Sequence, residues 1–298
     1  MSSDRKLTVK RLVIFLVIAF IPFCVIVPIM WSYFGEPIYA SENEDAAIPV
    51  YILGVFGMMI PSCANIITRL ITREGFTRSY LGLHTKGKMG YWAASVFVPV
   101  AYSLITLLLI IAVFMGDMGI SGALEPPDRG KIGLLLFQAA FSVIVFFPAF
   151  GEEWGWRGYM MPKLMELMPK PLAVFVGGII WGLWHAPLTV AGHNFGVDYP
   201  GYPFVGIGLM CLMCVALNAF LTLLTEKTQS VYPAAFCHAV NNNLSWGVFM
   251  MMLGKEEALE KMQALPTIQS FFLYFCTVGV VGIISFVLLI KKSDTSAA

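Results

Sequence analysis

The hydrophobic residues of this chain fall into long apolar runs. Eight of these runs approach or exceed 20 residues, the length that an α-helix needs to cross a bilayer. We expect spans at about 12–34, 47–70, 91–115, 132–162, 171–189, 203–226, 231–253 and 270–290. The pattern therefore predicts an all-α polytopic membrane protein, a bundle of about eight transmembrane helices in a single membrane domain, 1–298.

The fourth run is too long for a straight crossing. It contains Pro148 and Gly151, so we expect it to kink or to extend beyond the bilayer. The first run follows a basic N-terminus and lacks a small-residue cleavage site. It is also longer than the apolar core of a signal peptide, so we interpret it as an uncleaved span.

Composition supports a membrane location. The chain is 58% hydrophobic and 12% charged, against about 25% charged in a soluble domain. The net charge of +1 gives no indication of a nucleic-acid partner. All six cysteines lie within apolar runs, which argues against a disulfide framework.

The lysines and arginines orient the predicted spans. Fifteen of the nineteen fall in the terminal segments and in connections on one side of the bundle. Positive residues concentrate on the cytoplasmic side of membrane proteins. We therefore expect both termini to be cytoplasmic. The N-terminal span and the short loops are typical of a bacterial protein, so we expect an integral protein of a bacterial cytoplasmic membrane.

Two glutamates and an arginine follow the fourth apolar run, in the stretch 151-GEEWGWRG-158. A charge at bilayer depth is costly unless it is paired, hydrated or used. Glu153 and Arg157 are four residues apart on a helix and can pair, whereas Glu152 points about 100° away. We expect the pair to be supporting residues and Glu152 to be available for chemistry. An interfacial charge cluster is the alternative.

Later spans contain two histidines and a run of asparagines. His185, in 181-WGLWHAP-187, lies well inside the fifth span, where the following proline can bend or end the helix. His238 and Asn242, in 236-FCHAVNNN-243, lie four residues apart on one face of the seventh span. Taken singly, each group also fits ordinary packing, with the asparagines forming hydrogen bonds between helices.

The estimated depth in the membrane is similar for the polar residues of the three motifs. Counted at about 1.5 Å per residue, Glu152, His185, His238 and Asn242 fall in one layer between the membrane midplane and the cytoplasmic face. Three helices that contribute polar side chains to one layer indicate a functional site. The two remaining histidines lie in loops at other depths and are interpreted as ordinary loop residues: His84 and His193.

A glutamate, two histidines and an asparagine suit hydrolysis of an acyl bond. A carboxylate in a low-dielectric pocket can take a proton from water as a general base. A nearby histidine can position that water. An asparagine amide and a histidine N–H can donate hydrogen bonds to the developing oxyanion.

The same residues also allow a metal mechanism. Glu152, His185 and His238 form a catalytic zinc set with a fourth position for water. The HExxH spacing is absent, so zinc would have to be held by three separate helices. The residues leave both mechanisms open, and we favour no cofactor.

Together these motifs resemble the CPBP intramembrane proteases, the group that contains the CaaX-prenyl-protein endopeptidases. The family pattern is EExxxR, an aromatic residue followed by xxxH, and HxxxN, found here as 152-EEWGWR-157, 181-WGLWH-185 and 238-HAVNN-242. The resemblance implies a protease core at about 132–253. Trp181 stands where phenylalanine is more usual, which we interpret as a change of packing residue.

The resemblance also implies a role for each motif residue. Glu152 activates water with help from His185, and His238 and Asn242 form the oxyanion hole. Glu153 and Arg157 support the geometry, and no metal is needed.

The implied partners are membrane lipids and a membrane-associated or lipidated peptide. A non-catalytic immunity or binding protein and a transporter remain the competing classes, although the chain keeps every motif residue and shows no internal repeat.

Overall fold

The computed structural model describes residues 3–41, 43–117, 119–124, 128–244, 247 and 256–291. Within these residues the regular elements are helices, as the apolar runs predicted. In chain order they are α1 (Ser3–Phe34), α2 (Glu44–Gly57), α3 (Ile60–Ile71), α4 (Met89–Phe114), α5 (Gly119–Ala123), α6 (Arg129–Gly155), α7 (Met161–Leu167), α8 (Lys170–Trp184), α9 (Ala186–Val190), α10 (Phe204–Thr228), α11 (Tyr232–Ala239), α12 (Glu256–Ala264) and α13 (Thr267–Ile290).

The all-α class is confirmed, but the count of eight spans is not. The described residues contain five helices long and apolar enough to cross a bilayer, or six if α2 and α3 form one span bent by 42°. The predicted fifth span is interrupted, because α8 is 15 residues long and ends at Trp184. The second half of the predicted seventh span, 245–253, lies outside the described residues except for Gly247.

The fourth apolar run forms one long helical rod, 129–167, of 39 residues. At 1.5 Å per residue it is about 58 Å long, roughly twice the hydrocarbon thickness of a bilayer. This length exceeds a straight crossing, as the length of the fourth apolar run indicated. A π-helical turn, Trp156–Met160, joins α6 to α7 within this rod.

Two glycines let α8 approach α10 closely. A Cβ atom at Gly178 would lie 2.4 Å from Val215 Cα, and one at Gly182 would lie 2.5 Å from Cys211 Cα. The glycines are four residues apart and so share one face of α8, the spacing that allows membrane helices to meet backbone to backbone. This contact fixes the position of α8, and His185 follows directly after its last residue.

We expect Gly182→Ala to destabilise the protein by about 1–3 kcal/mol, because the added methyl group must push α8 away from α10. Gly208→Ala is the matched control, since a Cβ atom at Gly208 on α10 meets nothing within 4 Å. Thermal unfolding in detergent measures both variants. Equal melting temperatures for the two would contradict the proposed backbone contact.

The basic segments meet at one end of the bundle, which we call the basic end. Arg5 donates a hydrogen bond to Leu167 O (3.0 Å), while Glu74 pairs with Lys163 (2.6 Å) and Arg11 (3.4 Å). Burial raises the pKa of Glu74. The hydrogen bond and charge of Lys163, together with the charge of Arg11, outweigh burial and leave that pKa below its usual value. The start of α1, the α3–α4 connection and α7 therefore lie together, as the lysine and arginine pattern predicted.

Candidate active site

Each polar motif lies where a regular α-helix changes its geometry. Glu152 precedes the π-helical turn 156–160, and His185 separates α8 from α9. His238 precedes a second π-helical turn, Val240–Leu244. π-Helical turns are rare and are frequent at functional sites. The three motifs thus share a local feature that the apolar pattern does not encode.

A single cavity of about 770 Å³ brings the four predicted catalytic residues together. Glu152, His185, His238 and Asn242 all line it. The two histidines and Glu152 are buried, whereas Asn242 is exposed. The structure therefore assembles residues from α6, the α8–α9 junction and the end of α11 around one space, as the depth argument predicted.

Two indole N–H groups hold the carboxylate of Glu152. Its Oε2 atom accepts hydrogen bonds from Trp181 Nε1 (2.9 Å) and from Trp156 Nε1 (3.3 Å). The side chain is only 2% exposed. With Oε2 fixed by the indoles, Oε1 is the oxygen left to meet a water.

The predicted pair of Glu153 and Arg157 is confirmed and includes a third member. Arg157 Nη1 donates to Glu153 Oε1 at 2.9 Å, and His238 Nδ1 lies 2.8 Å from the same oxygen. The Arg157 guanidinium also stacks 4.1 Å from the ring centroid of Trp181. Glu153 thus links Arg157 to His238, a contact that helical spacing alone could not show because it joins α6 to α11.

His185 is oriented by the backbone. Its Nδ1 atom lies 2.9 Å from Trp181 O. A carbonyl oxygen only accepts hydrogen bonds, so Nδ1 carries the proton in the neutral ring and Nε2 is the acceptor. This tautomer makes Nε2 the atom able to hold the hydrogen of a water.

Trp181 was interpreted from the sequence as a packing residue, and that interpretation is wrong. Its indole donates to Glu152, its carbonyl accepts from His185, and its ring stacks against Arg157. A phenylalanine could supply the carbonyl and the stacking but not the N–H donor. The tryptophan therefore changes the chemistry around Glu152 as well as the packing.

The three asparagines have different partners. Asn243 donates to Gln138 O and Ser142 Oγ, both at 2.8 Å, and so joins the second π-helical turn to α6 as interhelical packing predicted. Asn241 donates to Asn242 Oδ1 at 2.8 Å. Asn242, the member predicted for the oxyanion hole, lines the cavity together with Asn241.

The lining of the cavity shows the direction in which it extends and corrects the interpretation of His193. On α6 it follows residues on the N-terminal side of Glu152, such as Phe147 and Phe141, and it reaches Tyr39 and His193 in loops remote from the basic end. The cavity therefore extends from Glu152 away from the basic end. His193 is not an ordinary loop residue, because its ring lies parallel to that of His185 with centroids 6.5 Å apart.

The zinc set of Glu152, His185 and His238 can be tested against the geometry of the site. Within the part of the chain that the structure describes, no group of three His, Cys, Asp or Glu side chains is arranged to hold one metal ion. One of the two carboxylate oxygens of Glu152 already has partners, since Oε2 accepts hydrogen bonds from two indoles. This arrangement does not fit the zinc set of Glu152, His185 and His238.

Fold and site together define an integral membrane protein whose helices enclose a largely apolar cavity that contains a carboxylate. The family model described as type II CAAX prenyl endopeptidase Rce1-like matches residues 131–244, a region that contains every motif residue. Residues 131–244 are thus similar to the CAAX, or CPBP, protease family, which confirms the resemblance that the motifs indicated.

A curated relative supports the same assignment. The chain is 26% identical over 107 residues to a protein named CAAX prenyl protease 2 from Methanococcus maripaludis. The match covers 33% of this chain and 36% of the relative. The chain thus spans little more than a third of the length of the curated relative it matches.

Proposed function

We propose that this protein is an intramembrane endopeptidase that hydrolyses a peptide bond in a membrane-associated or lipidated substrate. The observation that carries the proposal is the convergence of Glu152, His185, His238 and Asn242 on one cavity inside a membrane protein. These residues supply a base, a water-holding group and two oxyanion donors. The CAAX-type family match supports peptide-bond hydrolysis as the reaction.

In the proposed reaction Glu152 acts as the general base. One water lies between its carboxylate and His185 Nε2, and Glu152 removes a proton as the water oxygen attacks the carbonyl carbon of the substrate. The tetrahedral intermediate then collapses, the C–N bond breaks, and Glu152 returns the proton to the departing amine nitrogen. The indoles of Trp181 and Trp156 hold the carboxylate throughout.

His238 and Asn242 stabilise the oxyanion in this mechanism. Because Glu153 accepts from His238 Nδ1, the ring directs its other nitrogen, Nε2, to the substrate. Donation from both nitrogens requires the doubly protonated ring, and Glu153 supplies the compensating charge. Arg157 and Glu153 therefore act as positioning residues for His238.

The substrate and membrane orientation are part of the proposal. We infer that both termini are cytoplasmic, since the basic residues gather at the end where α1 begins, and that the membrane is bacterial. The cavity then opens toward the opposite leaflet. The partner fitted by this arrangement is a lipidated or membrane-embedded peptide whose cleavage site enters from that side.

The proposal is tested with purified protein and matched pairs of lipidated and unlipidated peptides, with and without a strong chelator. We expect cleavage of the lipidated member and unchanged turnover in chelator. Loss of turnover that zinc restores would instead favour the metal mechanism. If native protein cleaves no peptide in a broad panel, the result would favour a non-catalytic binding or immunity protein over a peptidase.

A further inference from the structure

Two tyrosine hydroxyls converge on one amide oxygen beside the cavity. Tyr102 on α4 and Tyr274 on α13 both donate hydrogen bonds to Asn241 Oδ1. Their rings meet edge to face with centroids 5.6 Å apart, and Tyr102 is 2% exposed. Two helices that carry none of the motif residues thus hold a side chain of the second π-helical turn.

A second polar contact, between two threonines, also joins α4 to α13. Thr106 Oγ1 and Thr277 Oγ1 lie 2.7 Å apart, about one helical turn from the tyrosines. Each threonine hydroxyl also lies 2.8 Å from the backbone carbonyl of the tyrosine on its own helix. The α4–α13 pair is therefore also joined by a contact that does not involve Asn241.

The hydrogen bonds continue from Asn241 to Asn242. Because the tyrosines occupy Asn241 Oδ1, its NH2 group is directed outward and donates to Asn242 Oδ1 at 2.8 Å. This bond engages the oxygen of Asn242 and leaves its two N–H donors for other partners. Orientation matters here, since an amide N–H stabilises an oxyanion and an amide oxygen would repel it.

We propose that Tyr102, Tyr274 and Asn241 are positioning residues that hold the Asn242 amide with its N–H groups toward the substrate oxyanion. The proposal rests on the proposed peptidase function and extends it beyond the motif residues. The three side chains act through Asn242 and do not touch the reacting atoms. Without them the Asn242 amide can rotate, and its donor is correctly placed for part of the time only.

The test compares kcat and KM for native protein and for the double variant Tyr102→Phe/Tyr274→Phe. We expect kcat to fall by about 10²-fold, the usual cost of a misplaced catalytic group, with KM changed less than about twofold. In an Asn242→Ala background the same double change should have no further effect, because residues acting as a unit are not additive. Thr277→Val removes the hydrogen bond between Thr106 and Thr277. It should lower the melting temperature and leave kcat unchanged.

An unchanged kcat in the double variant, or a loss that simply adds to that of Asn242→Ala, would overturn the proposal and leave helix packing as the role of the tyrosines. A second measurement does not require turnover. In protein labelled with 15N-asparagine, the side-chain amide signals of Asn242 should shift or broaden in the double variant and stay unchanged in Thr277→Val. Unaltered signals in the double variant would also overturn it. Inactive native protein with the expected amide shifts would instead count against the peptidase function alone.

Discussion

Replacement of Glu152 by glutamine should abolish peptide cleavage while leaving the fold intact. Glutamine keeps an oxygen that can accept hydrogen bonds from Trp181 and Trp156, so the indole contacts survive. It cannot take a proton from water. Loss of a general base lowers rates by about 10²–10⁴-fold, and we expect kcat to fall by this amount with little change in melting temperature.

Glu166→Gln is the matched control for this variant. Glu166 lies on the same helical rod, in α7 at the basic end, where it accepts a hydrogen bond from Thr8 (2.9 Å). Its amide variant should cleave the lipidated peptide at the native rate. Retention of native turnover by Glu152→Gln would remove Glu152 from the mechanism, whatever the behaviour of the control.

Replacement of Glu153 by leucine should be among the most destabilising single changes in the protein. Glu153 and Arg157 are fully buried, and removing one partner leaves an uncompensated guanidinium inside the bundle. Breaking a buried pair in this way costs about 3–5 kcal/mol. Lys170→Ala breaks the half-exposed Lys170–Glu226 pair and should cost about 1 kcal/mol or less. Reversible unfolding in detergent measures both.

The double variant Glu153→Leu/Arg157→Met separates stability from catalysis. Removing both charges should recover much of the lost stability, because a buried pair can be replaced by apolar side chains of similar size. Turnover should stay low, since His238 Nδ1 has lost the oxygen that orients it. Native turnover in the stable double variant would show that His238 needs no such partner.

The helical class and the set of motif residues follow from the sequence because they depend on run length and local spacing. Long apolar runs predict helices whatever their neighbours, and four-residue spacing predicts the Glu153–Arg157 pair. The count of spans does not follow as well. Pro187 indicates that the helix can bend or end near His185, but the apolar run shows no sign of the bend between α2 and α3.

Spacing along the chain does not predict contacts between residues on different helices. Nothing near Glu152 in the chain indicates that Trp181, 29 residues away, donates to its carboxylate. The proximity of His193 to His185 does not follow from depth along a straight span, because α8 ends at Trp184 and the chain turns between α9 and His193. One usable signal was present: a tryptophan at a position where phenylalanine is usual adds an N–H donor.

The two indole hydrogen bonds to Glu152 have a spectroscopic consequence. Indole emission responds to the electric field across the ring, and a carboxylate hydrogen-bonded to the pyrrole nitrogen changes that field when it gains or loses a proton. Trp181 and Trp156 therefore form an intrinsic optical probe of the charge on Glu152. The charge on this carboxylate, and its response to an entering peptide, can be followed as the part of the tryptophan fluorescence change that Glu152→Gln removes, with no substrate turnover and no attached dye.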